Sequence, residues 1–166
     1  PHQSSAASDV YKRQDIGRIL EQIQTSMPTL KGIIHAAGVV DDGTIQQMNW
    51  ERFAKVMSPK LIGTWHLHTL TKNLPLDFFV CFSSIASMLG SPGQGNYAAA
   101  NAFMDALASH RRSQGLSGLA INWGAWASEG MAARLAVEHQ SRMQSSGITE
   151  IAPKEGMSAL DLLLTQ

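Results

Sequence analysis

The chain has 166 residues, with 44% hydrophobic residues, 16% charged residues and a formal net charge of zero. This length and composition predict one globular domain, and the balanced charge argues against nucleic acid or an anionic membrane as a partner. Apolar runs no longer than a strand predict no membrane span, and the single cysteine, Cys81, is expected to be an inert core thiol in a cytoplasmic protein.

The chain is expected to open with a leader. Residues 1–14 show neither a helix nor a strand period, so we interpret them as disordered or non-native and assign the domain to residues 15–166. Apolar residues on one face then predict an amphipathic helix from Asp15 to about Met27. Leu30 to His35 is predicted as a short strand, and the small residues after it would let a ligand approach the backbone.

The middle of the chain continues the alternation of predicted helices and strands. A helix is predicted from about Asn49, and Pro59 should interrupt it. Ser58, as N-cap, would restart a helix that runs to about Leu70. The next strand is predicted over Leu76–Phe82, within an apolar run.

The last third predicts three further elements and one mixed segment. The elements are a helix over Asn96–Ser113 closed by Gly115, a strand over Leu119–Trp123 and a helix over Pro153–Leu164. Residues 124–147 are read as loop plus helix. Met157, Leu160 and Leu164 are expected to face inward on the final helix.

Strands that alternate with helices predict an α/β fold, a Rossmann-like doubly wound parallel sheet. Such a fold opens with a Gly-rich turn that seats a pyrophosphate, but the chain contains no G-x-G-x-x-G. Gly90, Gly93 and Gly95 have a different spacing. The fold is therefore expected to be N-terminally truncated, with roughly 60–90 residues of βα units missing.

Chemistry-bearing residues concentrate between Phe82 and Asn101 (FSSIASMLGSPGQGNYAAAN). A strand ends at Ser84, a loop rich in Gly and Pro follows, and a helix begins near Tyr97. Loops beyond the carboxyl ends of parallel strands are where open α/β sheets place their sites. Tyr97 and Asn101 are four residues apart, so they share one helix face.

These residues resemble a known family. S-(x)12-Y-x-x-x-N occurs with GIIHAAGVVDDG, SPKLIGTWHLH and INWGAWASEGMA, between about Asp15 and the C-terminus. Together they are similar to the ketoreductase domains of modular polyketide synthases and fatty acid synthases, in the short-chain dehydrogenase/reductase superfamily. The resemblance implies NADPH-dependent reduction of a β-ketoacyl thioester held on an acyl carrier protein, beside other domains of a polyketide synthase.

Ketone reduction needs a proton donor and a group that polarises the carbonyl. A phenol is a weak acid, with a reference pKa of about 10, and a nearby ammonium lowers that pKa. By resemblance, Tyr97 donates the proton and Ser84 polarises the carbonyl. Lys60 would lower the pKa of Tyr97 and bind the nicotinamide ribose, while Asn101 would hold a water. Most of the superfamily has YxxxK, and the exchange of Lys and Asn marks the polyketide type.

Each of these residues also has a simpler interpretation. Tyr97 could be a packing residue, Lys60 a solvated surface lysine and Ser84 a strand-end cap. Asn101 could satisfy a buried backbone group. Their joint occurrence at the family spacing favours the functional interpretation.

Further site residues follow from the resemblance. Cofactor contacts are expected from His35, Ala36, Ala37, Gly38, Asn122, Trp123 and Gly124. His35 could equally be a satisfied buried histidine. The Val40-Asp41-Asp42 triplet stands where an L-D-D triplet accompanies B-type reduction to a D-hydroxyl product. Leu89, in place of the A-type Trp, and Pro92 also favour the B-type. Trp126 and Met131 fall in a lid over the substrate, although Trp126 could simply tether that segment.

Alternatives to reduction have their own sequence requirements. A serine hydrolase using Ser84 lacks the G-x-S-x-G flanks. No metal site is expected, because the six histidines show no H-E-x-x-H and there is no cysteine pair. The remaining alternative is a non-catalytic scaffold or carrier-docking fragment. Because the phosphate-binding loop is not found in the sequence, the chain alone is expected to be inactive.

Overall fold

The computed structural model describes residues 12–127, 147 and 149–165. The chain divides into two compact units, Pro1–Ile121 and Asn122–Gln166. Most of the predicted leader lies outside the described residues. Helix α1 (Arg13–Ser26) begins two residues earlier than the predicted start at Asp15.

A three-stranded sheet has the order β1-β2-β3, and its strands are β1 (Gly32–His35), β2 (Phe78–Ser84) and β3 (Leu119–Trp123). β1 and β2 are parallel, with Ile34 opposite Val80. Helices flank the sheet, which confirms the predicted Rossmann-like α/β class. β2 starts and ends two residues later than predicted, so Ser84 is its last residue.

The connection from β1 to β2 begins with a loop over residues 36–44 and then contains four helical segments. It contains a 3-10 turn (Ile45–Gln47), α2 (Trp50–Met57), a π-helical turn (Ser58–Gly63) and α3 (Thr64–Thr71). Asn49 caps α2 by accepting a hydrogen bond from the Arg52 N–H at 3.0 Å. Trp50, the first residue of α2, is 77% exposed, whereas Val56 is buried.

The predicted break at Pro59 is wrong. Ser58 is helical (φ −55°, ψ −53°) rather than an N-cap, and its hydroxyl donates to the Ala54 carbonyl at 2.7 Å. Pro59 lacks an N–H and its ring crowds the preceding turn. The backbone accommodates it by widening into a π-helical turn, a feature that often occurs at functional sites.

The core of the first unit lies where β2 meets α5 (Gly95–Ser113). Phe79, Cys81 and Met104 are its buried centre. Burial raises the pKa of Cys81 to about 12, so the thiol is inert as predicted. A short helix, α4 (Ala86–Leu89), follows β2 and was not predicted. α5 is closed as predicted by Gly115, which has φ 73°.

The second unit contains α6 (Pro153–Leu164). The Trp126 ring lies so close to Gly156 that an added Cβ would sit 2.4 Å from it. Leu160, one turn on, is buried, but Met157 is 57% exposed, contrary to prediction. Met157 lies one position away from the face that Gly156 and Leu160 share. No helix in the described part of the chain has the length and apolar character needed to cross a bilayer.

We predict that Gly118→Ala destabilises the fold by about 1–3 kcal/mol. An added Cβ would lie 2.7 Å from the Ala108 carbonyl oxygen and 3.0 Å from the Arg111 Cβ, and the backbone of α5 cannot easily move away. Gly17→Ala is the matched control, because nothing lies within 4 Å of an added Cβ there. In mid-helix it should stabilise by up to about 1 kcal/mol. Urea unfolding of both variants measures the difference, and equal stabilities would contradict the packing at Gly118.

Candidate active site

Three backbone segments bring the predicted residues together. Ser84 ends β2, the π-helical turn carries Lys60, and the first turns of α5 carry Tyr97 and Asn101. The carboxyl end of a parallel strand and the start of the following helix form the usual location of a site in this fold class. All four residues belong to the first compact unit.

Lys60 is a buried cation, not a solvated surface residue. Its side chain is 2% exposed, and Nζ donates a hydrogen bond to the Phe82 carbonyl at 3.0 Å. Nζ lies 5.4 Å from the centroid of the Tyr97 ring, within the range of a cation–π contact. Burial lowers the pKa of Lys60 to about 8, because removal from water disfavours the charged form.

Burial raises the pKa of Tyr97 above its ordinary value of 10, and the Asp42 charge acts in the same direction. Hydrogen bonding by the Ser84 and Asn101 side chains acts to lower the pKa of Tyr97, but burial prevails. Lys60 is not among the groups that account for this shift, so its effect on the Tyr97 pKa stays a prediction. Tyr97 is a protonated phenol at neutral pH, as a proton donor must be.

Asn101 supports the backbone as well as the site. It is fully buried, and Nδ2 donates to the Tyr97 carbonyl at 2.7 Å. The Ser83 hydroxyl donates to the Asn101 carbonyl at 3.3 Å, which connects α5 to the end of β2. The simpler interpretation of Asn101, as a partner for a buried backbone group, is thus part of its role.

The Asp41–Asp42 loop is attached to the segment that precedes Tyr97. Asp42 Oδ2 accepts from Gln94 Nε2 at 2.9 Å, and Asn96 Nδ2 donates to the Asp41 carbonyl at 3.0 Å. The Gly43 N–H also donates to the Gly93 carbonyl at 2.8 Å. Gln94 and Asn96 were not predicted as site residues. Their amide side chains at a helix start were the available signal, but partners about fifty residues away leave no local pattern.

A second interaction holds the same loop from its other side. Arg52 Nε donates to Asp41 Oδ1 at 2.7 Å, and Lys55 Nζ donates to Oδ2 at 3.0 Å. These hydrogen bonds hold the pKa of Asp41 below its ordinary value. Asp42 is thereby presented on a fixed loop, while Leu89 (69% exposed) and the exposed Pro92 lie in the segment between Ser84 and Tyr97.

His35 proves to be the satisfied buried histidine. It is 7% exposed, and Nε2 lies 3.0 Å from the Pro59 carbonyl oxygen, to which it donates. Its ring also lines an apolar cavity of about 220 Å³ beneath α1. Burial lowers the pKa of His35 to about 4, and the nearby Lys60 charge acts in the same direction. Among its predicted neighbours in the cofactor segment, Ala36 is exposed, whereas Ala37 and Gly38 are half-buried.

The remaining predicted residues belong to the second unit. Asn122 and Gly124 are half-buried, and the ring centroids of Trp123 and Trp126 are 5.0 Å apart. Trp126 pairs with Ile151 in a parallel bridge, which agrees with a tethering role for its segment. Met131 lies outside the described residues. No group of three or more His, Cys, Asp and Glu side chains within residues 12–127, 147 and 149–165 could hold a metal ion.

A sequence model of the KR domain matches residues 3–128. The chain is 43% identical over 159 residues to the phenolphthiocerol synthesis polyketide synthase type I Pks15/1 of Mycobacterium marinum, covering 95% of this chain and 8% of that protein. It is 44% identical over 160 residues to polyketide synthase GfsB of Streptomyces halstedii, covering 96% of this chain and 3% of that protein. The chain thus spans less than a tenth of these relatives.

Solved structures agree with the sequence relatives. A structure of A-type ketoreductases from a modular polyketide synthase has a TM-score of 0.86 and 39% identity, covering 94% of this chain and 32% of that chain. A ketoreductase domain from the bacillaene assembly line has a TM-score of 0.84 and 38% identity, covering 92% of this chain and 38% of that one. Both identities are high enough to indicate a common family as well as a common fold.

We predict that His35→Gln removes a pH dependence of stability. The pKa of His35 is about 4 in the folded protein, below its ordinary value of 6.5. As the pH falls, the unfolded chain therefore binds a proton at His35 before the folded protein does. The free energy of unfolding should therefore fall by about 3 kcal/mol as pH drops from 6.5 to 4. Gln can keep the donor to Pro59 without titrating. Urea unfolding between pH 7 and 4 tests this, with His110→Gln at an exposed histidine as the control, and an unchanged slope in His35→Gln would refute it.

Proposed function

Because this chain belongs to the ketoreductase (KR) domain family of modular polyketide synthases, we propose that it carries the residues that reduce a β-ketoacyl thioester to the β-hydroxyacyl thioester. The supporting observation is one phenol, Tyr97, hydrogen-bonded to Ser84 with the Lys60 ammonium 5.4 Å from its ring. The substrate is held on an acyl carrier protein, and other domains of a cytoplasmic polyketide synthase supply and remove it.

Tyr97 and Ser84 act on the ketone oxygen. Negative charge develops on this oxygen as the carbonyl carbon becomes tetrahedral, and hydrogen bonds from both hydroxyls stabilise it. Tyr97 then transfers its proton to the oxygen, and the product is the β-hydroxyl group. Because the phenol is protonated at neutral pH, the proton is in place before the reaction begins.

Lys60 acts on the phenolate that remains. A buried ammonium beside the ring stabilises the phenolate far more than it would in water, because the local dielectric constant is low. Tyr97 regains its proton through a water held near Asn101. The Lys60 charge therefore matters after proton transfer, although burial controls the pKa of Tyr97 beforehand.

The residues present fit a nicotinamide cofactor, which supplies the hydride when NADPH is bound. The small residues Ala36–Gly38 follow β1 directly, and β1 lies next to the strand that ends at Ser84. Small side chains after a parallel strand allow close approach of a ligand to the backbone. Lys60 would hold the ribose, and Asn122, Trp123 and Gly124 are further proposed contacts. His35 contributes by orienting the backbone, since its ring is bound to Pro59.

The stereochemical outcome is proposed to be B-type. Asp42, Leu89 and Pro92 support this assignment by their residue types, and Trp126 and Met131 are proposed substrate-lid residues. Asp42 is held against the segment before Tyr97 by Gln94, so it can limit how the substrate enters.

We predict that Tyr97→Phe lowers the rate of thioester reduction by about 10²–10⁴-fold, the usual contribution of a positioned acid. Ser84→Ala should lower it by a comparable factor. The variants are made in the complete protein that carries this chain, and consumption of NADPH with a β-ketoacyl thioester is followed. Ser113→Ala, at the far end of α5, is the matched control and should retain full rate. A Tyr97→Phe protein with full rate would refute the proposal.

The product should carry a D-hydroxyl group. Chiral chromatography of the released β-hydroxy acid measures this directly. Predominance of the L-hydroxyl product would refute the B-type assignment while leaving the reductase proposal intact.

The 166-residue chain alone should not oxidise NADPH, because its sequence contains no Gly-rich pyrophosphate turn. The assay uses the isolated chain with a β-ketoacyl thioester. Measurable turnover would show that this turn is dispensable.

A further inference from the structure

Arg52, in the first turn of α2, holds the loop that carries Asp42, and it lies outside every motif quoted above. Each of its three guanidinium nitrogens has a separate acceptor. Nε donates to Asp41 Oδ1 at 2.7 Å, Nη1 donates to the Gln47 carbonyl at 3.3 Å and Nη2 donates to the Asp42 carbonyl. The Arg52 side chain is 29% exposed, so these bonds are only partly screened by water.

The contact with the Asp42 carbonyl fixes one peptide group from two sides. In a planar trans peptide the C=O and N–H groups point in opposite directions. Here the Asp42 C=O accepts from Arg52, while the Gly43 N–H of the same peptide donates to the Gly93 carbonyl at 2.8 Å. A rotation of this peptide would break both bonds. Arg52 therefore helps to set the direction in which the Asp42 side chain leaves the backbone.

The loop is attached directly beside the proposed proton donor. Asn96 Nδ2 donates to the Asp41 carbonyl at 3.0 Å, and Asn96 Oδ1 accepts from the Tyr97 N–H at 2.8 Å. The Asp42 carboxylate accepts from Gln94 Nε2 at 2.9 Å. A change in the orientation of the loop would therefore change what a substrate meets beside Tyr97.

We propose that Arg52 is a positioning residue that sets the stereochemical preference of the reduction. It holds the Asp42–Gly43 peptide in one orientation, so that the Asp42 side chain favours one of the two orientations of the ketone beside Tyr97. Arg52 touches neither substrate nor cofactor. The inference rests on the proposed function and on the stereocontrol proposed there for Asp42, but it does not depend on which hydroxyl isomer the protein forms.

Arg52→Met removes the three bonds to the loop. Methionine is also a good helix former, but it has neither the charge nor a hydrogen-bond donor. The share of the minor hydroxyl isomer should rise about tenfold, the factor that corresponds to the loss of one charge-assisted hydrogen bond. Arg52→Lys keeps the charge but not the planar fork, so it cannot satisfy three separate acceptors, and its minor share should be intermediate.

The measurement is the ratio of D- to L-hydroxy acid released by the complete protein that carries this chain, determined by chiral chromatography. Partial unfolding would lower kcat without changing that ratio, so the ratio distinguishes positioning from structural support. Arg18→Met is the matched control, because Arg18 pairs with Asp15 on α1, is 77% exposed and should leave the ratio unchanged. An Arg52→Met protein with the wild-type ratio would overturn the proposal.

Gly43→Ala displaces the guanidinium while leaving Arg52 in the chain. An added Cβ would lie 2.7 Å from Arg52 Nη1 and 3.1 Å from Cζ, and Gly43 does not have a positive φ, so the backbone accepts alanine. The minor isomer should rise here too, but no further when Gly43→Ala is added to Arg52→Met, because both changes act through one contact. A full Gly43→Ala effect in the Arg52→Met protein would overturn the proposal.

Hydrogen–deuterium exchange of the same proteins tests the contact without substrate. In Arg52→Met, the amides of residues 41–47 should exchange faster, because opening of the loop no longer breaks the bonds to the guanidinium. Exchange as slow as in the wild type would show that Arg52 does not hold the loop and would overturn the proposal. If the complete protein reduces no thioester, the proposed function fails and the stereochemical role with it, whereas the exchange still decides whether Arg52 holds the loop.

Discussion

The site depends on one unfavourable arrangement, the burial of the Lys60 ammonium at the end of β2. Moving a cation out of water costs several kcal/mol unless polar groups replace its hydration. The Phe82 carbonyl and the face of the Tyr97 ring supply part of that replacement. The remaining cost is visible as a pKa lowered to about 8.

The surrounding fold explains how Lys60 reaches this position. Pro59 cannot donate to the preceding turn, and the wide π-helical turn that results contains Lys60. His35, at the end of β1, donates to the Pro59 carbonyl and so attaches this turn to the sheet. A histidine expected to bind a cofactor thus holds the backbone beside the lysine. On the other side, the Asn101 side chain donates to the Tyr97 carbonyl within α5, and the Asn101 carbonyl accepts a hydrogen bond from Ser83.

The Asp41–Asp42 loop beside the site is also held by side-chain hydrogen bonds. The Asp41–Asp42 loop is fixed by Arg52 from one side and by Gln94 and Asn96 from the other. Two segments that are distant in sequence are therefore held together beside Tyr97. The family motif names Asp42, but its rigidity comes from residues outside that motif.

The sequence by itself predicted the order of the main helices and strands, the parallel class of the sheet and Lys60, Ser84, Tyr97 and Asn101 as candidate site residues. Hydrophobic period, turn residues and motif spacing are local, so they can be read from neighbouring positions. Tertiary structure alone decided that Pro59 widens a helix instead of ending it, that Met157 faces outward and that burial outweighs hydrogen bonding at Tyr97. These outcomes depend on which atoms exclude water from which groups, and that is established only when distant segments pack together.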